Sequence, residues 1–120
     1  MDALGITVVV STYNNEEWLA KVLEGYKYQT YDNYEVMVAD DGSRPATKEL
    51  IDSFKADYPV PLHHVWHEDE GYRRQRILNI AITKANMPYI LFTDGDCIPR
   101  KDFVEVHARF AEEGYFLSWG

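Results

Sequence analysis

Read as a pattern of apolar and polar positions, the chain alternates strand-like and helix-like stretches. Ile6-Thr7-Val8-Val9-Val10 is a continuous β-branched and apolar run, the pattern of a strand buried on both faces of a parallel sheet. Asn14 and Asn15 are placed to cap a following helix, with Glu16 and Glu17 favourable in its first turn. In that helix Trp18, Leu19, Val22, Leu23 and Tyr26 recur at helical spacing and predict one buried face. A second strand is predicted from Tyr34 to Ala39, ending at Asp40-Asp41-Gly42-Ser43. Ser43 is expected to cap a helix with Pro45 in its first turn and Leu50, Ile51 and Phe54 facing inward.

Val60 to Trp66 reads as a third strand, which Pro61 directs to a sheet edge. Ile77, Leu78, Ala81, Ile82 and Ala85 form the apolar stripe of a third helix, closed by Asn86 and Pro88. Tyr89 to Thr93 predicts a fourth strand. Phe103, Val104, His107, Ala108 and Ala111 mark a fourth helix, and Tyr115 to Ser118 a fifth strand. Repeated strand–helix units imply an α/β fold with a mostly parallel sheet and helices on both faces. Residues 1–120 read as one domain without repeats, low-complexity tracts or linkers. The chain stops directly after a predicted strand, where such a fold would continue, so a piece of a longer protein is expected.

Composition narrows the partners. A chain of 120 residues that is 46% hydrophobic and 27% charged has room for one folded core and no reason to be disordered. No stretch approaches the roughly 20 apolar residues of a membrane span, and Ile6–Val10 lacks the preceding basic segment of a signal peptide. A cytoplasmic location is expected, peripheral to the inner face of the membrane if an anchor lies elsewhere. The net charge of −8 excludes the broad basic surface that a nucleic acid polymer demands. Cys97 is the one cysteine, so no intrachain disulfide forms.

Four polar clusters each follow a predicted strand: residues 11–14, residues 40–43, His67 through Arg76, and Asp94-Gly95-Asp96. Open parallel sheets bind ligands at the carboxyl ends of their strands, so the four are expected to converge. Asp94 and Asp96 flank a glycine that permits close approach of backbone and ligand, and they suit Mg²⁺ or Mn²⁺. The same tripeptide is also common turn chemistry. Asp40-Asp41 is either an Asx-turn into the next helix or an acceptor for a base or ribose. Arg73, Arg74 and Arg76 open a helix whose dipole they oppose, a conflict resolved by an anion between them or by pairing with Glu68, Asp69 and Glu70. His63 and His64 face opposite sides of a strand and do not form a zinc site, while His107 reads as a satisfied core histidine.

The ordered set Val9-Val10-Ser11-Thr12-Tyr13-Asn14, Val38-Ala39-Asp40-Asp41-Gly42-Ser43 and Tyr89-Ile90-Leu91-Phe92-Thr93-Asp94-Gly95-Asp96 resembles family 2 glycosyltransferases. Those enzymes have the Rossmann-like GT-A fold. Glu68-Asp69-Glu70-Gly71-Tyr72-Arg73, with Arg76 and Asn79, is similar to a bacterial subgroup near galactosyltransferase and chondroitin-polymerase enzymes.

The resemblance implies a nucleotide-diphospho-sugar donor, a UDP-sugar first, and a saccharide or lipid-linked acceptor in polysaccharide biosynthesis. It assigns Thr12, Tyr13, Asn14, Asp40 and Asp41 to base and ribose, and Arg73 with Arg76 to the diphosphate. Asp94 and Gly95 fall near the ribose or the waters of the ligand, and Asp96, with Asp94, holds the metal. It implies inversion by a carboxylate base in an acceptor-binding half expected beyond Gly120, so donor binding without efficient transfer is expected here. Two other classes compete. One is a haloacid-dehalogenase-like phosphotransferase with Asp94 as nucleophile, and the other a non-catalytic nucleotide-binding module dimerising through the sheet edge after Tyr115–Ser118.

Overall fold

The computed structural model describes residues 4–112, in which strands and helices alternate from first to last. The strands are β1 (Ile6–Thr12), β2 (Tyr34–Asp40), β3 (Leu62–Trp66) and β4 (Tyr89–Asp94). The helices are α1 (Glu16–Lys27), α2 (Pro45–Lys55), α3 (Arg74–Lys84) and α4 (Phe103–Glu112). All pairings are parallel, in the order β3-β2-β1-β4. β1 is therefore central, and the chain steps outward through β2 and β3 before returning to its other side as β4. β3 lies at the edge, as Pro61 predicts. The carbonyl of Pro61 accepts from the Val36 amide at 2.9 Å, a bond that its missing N–H does not affect.

Helices cover both faces. Ile6, Val8 and Val10 of β1, with Val36 and Val38 of β2, pack beneath Leu19, Val22, Leu23 and Tyr26 of α1, Ile51 of α2, and Val104 and Ala108 of α4. The other face buries Val9, Met37, Ala39 and Val65 under Ile77, Leu78 and Ala81 of α3. The unbroken apolar runs of β1 and β2 follow from this double coverage.

Several expectations change. Trp18 is 42% exposed and Ile82 41% exposed, each at the margin of its helix stripe. Trp18 lies instead under the Lys21 ammonium, 4.6 Å from the ring centre. Ala85 ends α3 in extended conformation. Asn15 is the N-cap of α1 but makes no side-chain cap bond, and Arg44, not Ser43, is the N-cap of α2. The Ser43 hydroxyl accepts from the Asn14 amide at 2.7 Å, and the Asn14 side-chain carbonyl accepts from the Arg44 amide at 2.7 Å. These residues thus staple the β1–α1 and β2–α2 loops together, an alternative partner set for residues that otherwise cap helices locally. His107 is buried against Phe103, yet its Nδ1 has no partner among the described residues, and burial lowers the basicity of the ring. The predicted strand 115–118, and the dimer edge built on it, lie outside the described residues. Among those residues, no helix is long and apolar enough to cross a membrane.

A buried carboxylate ties the strands together at the end remote from the polar clusters. Glu35 is 1% exposed and accepts from Thr7 Oγ1 at 2.6 Å, the Asn86 amide at 2.8 Å, Asn86 Nδ2 at 2.9 Å and His63 Nε2 at 2.9 Å. Burial alone would raise its pKa, but the bonds from Thr7, Asn86 and His63 outweigh it and hold the carboxyl below its ordinary value. The stability it contributes is therefore present above the unfolded value near pH ~4.3 and is lost as pH falls through the lower folded value. Glu35→Gln, which turns an amide toward these donors, is expected to cost about 1–3 kcal/mol at neutral pH. Denaturant titrations across pH should show that penalty shrinking in acid.

Gly42 provides a second test. Its φ is +89°, and an added Cβ would sit 2.5 Å from Asp69 Cα. Gly71 has φ +90° with nothing within 4 Å. Gly42→Ala is expected to lose at least about 2 kcal/mol in chemical denaturation, from strain plus overlap. Gly71→Ala should lose only the strain, about 1 kcal/mol.

Candidate functional site

The order β3-β2-β1-β4 places a topological switch between β1 and β4, whose carboxyl ends carry Ser11-Thr12 and Asp94. A cleft of about 420 Å³ opens there, lined by Ser11, Thr12, Tyr13, Asp41, Arg74, Asp94, Gly95 and Asp96 among others. All four polar clusters contribute to its lining, as the pattern of the sequence predicts.

Its floor is set by contact between β1 and the loop after β4. Ser11 pairs in register with Asp94. The Ser11 hydroxyl donates to Asp94 Oδ1 at 2.9 Å, and the Gly95 amide donates to the Ser11 carbonyl at 2.7 Å. A Cβ on Gly95 would meet that carbonyl at 2.8 Å. The close approach that demands glycine is thus to the chain's own backbone, in addition to any ligand in the cleft. Next to it, Thr12 Oγ1 is buried without a partner among the described residues, a polar atom in need of a donor or acceptor.

Asp94, Asp96 and Cys97 each offer one ligand atom within 4.8 Å of the others. The Cys97 thiol is pushed up by burial and then by the Asp96 charge, which disfavours its thiolate form. Two carboxylates beside an open cleft fit a hard divalent cation, whose remaining ligands are oxygen atoms of substrate and water. Asp94 Oδ1 also takes Arg74 Nη2 at 3.0 Å. Arg74 is the first residue of α3, so a guanidinium and a helix N-terminus meet the cleft together.

The acid pair after β2 divides its work. Asp40 is fully buried: Oδ1 accepts from the Ser43 amide, three residues on, at 2.9 Å, which folds the loop after β2 back on itself, and Oδ2 meets His64 Nε2 at 2.8 Å. Asp41 lines the cleft. Its Oδ1 bonds His67 Nε2 at 2.5 Å and its Oδ2 accepts from the Arg73 amide at 2.9 Å.

Tyr13 is half exposed at the mouth of the cleft and donates to Asp69 Oδ2 at 2.7 Å. That bond raises the Tyr13 hydroxyl and, with the Gly71 amide, holds the Asp69 carboxyl below its usual range. Tyr72, 86% exposed, also lines the cleft.

Of the residues singled out in the sequence, Thr12, Tyr13, Asp41, Asp94, Gly95 and Asp96 line the cleft, whereas Asn14, Asp40, Arg73 and Arg76 do not. Arg73 caps α3 and turns its side chain to the Glu68 carbonyl and Glu70, while Arg76 Nη1 bonds His67 Nδ1 at 2.5 Å. Arg74 is the arginine that reaches the cleft, and no spacing rule separates it from its neighbours. Ser11 and His67 lie in two of the polar clusters that the sequence marks, but their partners were not legible there, because those partners lie on other elements.

The family model for glycosyl transferase family 2 matches residues 7–119. An uncharacterised glycosyltransferase of Rickettsia felis is 31% identical over 112 residues, 93% of this chain and 18% of that protein. The chain thus spans about a fifth of the length of the first curated relatives it matches. The solved structure of S. aureus TarS 1-349 in complex with UDP superposes with a TM-score of 0.81 at 25% identity, over 92% of this chain and 32% of that one. The mannosyltransferase PcManGT of Pyrobaculum calidifontis, in complex with GDP-Man and Mn²⁺, superposes with a TM-score of 0.77 at 25% identity, over 93% of this chain and 32% of that one. With its motifs gathered at one sheet edge and its fold shared with these GT-A proteins, the chain belongs to glycosyl transferase family 2.

Proposed function

We propose that this chain forms the donor side of a glycosyltransferase, taking a nucleotide-diphospho-sugar, a UDP-sugar first, with a divalent metal. The observation that carries the proposal is the cleft at the β1/β4 switch, where the Asp41 carboxylate, the Arg74 guanidinium and the pair Asp94 and Asp96 line one space. The complexes of TarS with UDP and of PcManGT with GDP-Man and Mn²⁺ support the same ligand class.

Asp41, with one bond on each oxygen, keeps lone pairs for N–H or O–H donors of base and ribose. Thr12 Oγ1 offers the neighbouring polar contact, and Tyr13 and Tyr72 flank the mouth as faces for a planar base. Asp94 and Asp96 would hold Mn²⁺ or Mg²⁺, which supplies charge neutralisation to the departing diphosphate. Arg74 and the start of α3 add positive potential on the same side.

In the reaction proposed, the hydroxyl oxygen of a saccharide or lipid-linked acceptor attacks the anomeric carbon with inversion. The bond from that carbon to the diphosphate oxygen breaks, and the hydroxyl proton passes to a carboxylate base. The described residues bind and orient the leaving group. Tyr13 and Asp69 bond each other at the cleft mouth.

Calorimetric titration with UDP, UDP-sugars and GDP-sugars, with and without Mn²⁺, tests this reading. Binding should strengthen with Mn²⁺, and Asp96→Ala should weaken the metal-dependent part at least about tenfold, ~1.4 kcal/mol, with the thermal transition retained. Arg74→Ala is expected to weaken UDP more than uridine. Equal metal-dependent binding by Asp96→Ala would defeat the assignment.

A further inference from the structure

Arg76 carries a bond that the donor cleft does not explain. We infer that Arg76 is a positioning residue: it fixes His67 as the Nε2–H tautomer, and His67 with the Arg73 amide then aims the Asp41 carboxylate into the cleft. The role of Asp41 toward the nucleoside rests on the donor-site reading above; the tautomer does not.

The chemistry follows from what each group is able to donate. A guanidinium has only donors, so at the 2.5 Å contact between Arg76 Nη1 and His67 Nδ1 the ring nitrogen must accept. A doubly protonated ring has no lone pair to offer there, so His67 is neutral and carries its hydrogen on Nε2. That hydrogen lies on the 2.5 Å contact with Asp41 Oδ1. The Arg73 amide takes Asp41 Oδ2 at 2.9 Å, so both oxygens are held and the carboxylate plane is set.

His67 is 7% exposed and Asp41 6% exposed, so water does not readily replace either bond. The opposite tautomer would turn a nitrogen lone pair against the carboxylate oxygen and release Asp41 to rotate. The Asp40–His64 pair provides an internal contrast. His64 Nε2 meets Asp40 Oδ2 at 2.8 Å, yet among the described residues no guanidinium stands on its other nitrogen, and Asp40 lies outside the cleft lining. The arginine thus stands on the histidine whose carboxylate partner lines the cleft.

The test uses the full chain. Long-range ¹H–¹⁵N correlation spectra of the ligand-free protein near neutral pH should show His67 with an unprotonated, hydrogen-bonded Nδ1 and a protonated Nε2. A protonated Nδ1, or a doubly protonated ring, would overturn the inference with no variant needed. In Arg76→Met the His67 signals should move toward a mixture of tautomers, with Arg76→Lys, which keeps a donor, recovering the original signature in part. Uridine and UDP, titrated by NMR, should both weaken in Arg76→Met by the same factor, about tenfold. Loss for UDP with uridine unchanged would mean that Arg76 meets the diphosphate directly, and the inference fails. If the unaltered chain binds neither ligand, the donor-site reading fails while the His67 spectra still decide the tautomer.

Discussion

The double pairing of β1 governs this structure. The strand is hydrogen-bonded in parallel to β2 on one side and β4 on the other, and helices cover both of its faces. Every neighbour must therefore run in the same direction, and the loops that leave the three strands emerge at one edge. Their backbone and side-chain polar groups cannot all reach water there, and so they bond to one another: Gly95 to Ser11, Asp41 to Thr12, Asn14 to Ser43 and Arg44. The binding cleft is what remains between loops that satisfy each other in this way.

That mutual satisfaction separates the residues facing a ligand from those that hold them. Asp40 and Asp41 are adjacent and identical in kind, yet one holds the Ser43 amide inside the protein and the other borders the cleft. Alternation along an extended strand end sends the two side chains to opposite faces, and burial then commits each to a different histidine. The arginines opening α3 divide similarly. Arg73 precedes the helix as its non-helical N-cap, and Arg74 and Arg76 lie about 200° apart around α3, so the three reach a loop carbonyl, the cleft and His67 respectively.

Two glycines are placed by backbone proximity: Gly42 lies against Asp69 and Gly95 against the Ser11 carbonyl, so loops from different strands meet without a side chain between them. At the far end of the sheet Glu35 gathers Thr7, His63 and Asn86 into one network, anchoring the same strands whose other ends form the cleft. Membership in glycosyl transferase family 2 accords with this division of the sheet into an anchored end and a binding end.

Strand and helix order, the edge position of β3, the two-faced burial of β1 and the clustering of polar segments at strand ends were legible in the sequence, because each depends on local periodicity and on a proline's missing donor. The motif set that marks the family was legible for the same reason, being carried in short contiguous runs. What only the tertiary structure decided are the partners across elements: Arg74 rather than its neighbours at Asp94, Ser43 bound to Asn14 rather than capping α2, Glu35 as a hub, and His67 between Arg76 and Asp41. Those choices depend on distances between residues far apart in the chain, set by strand register and by the rotation of each helix over the sheet. No pattern within a single segment encodes them.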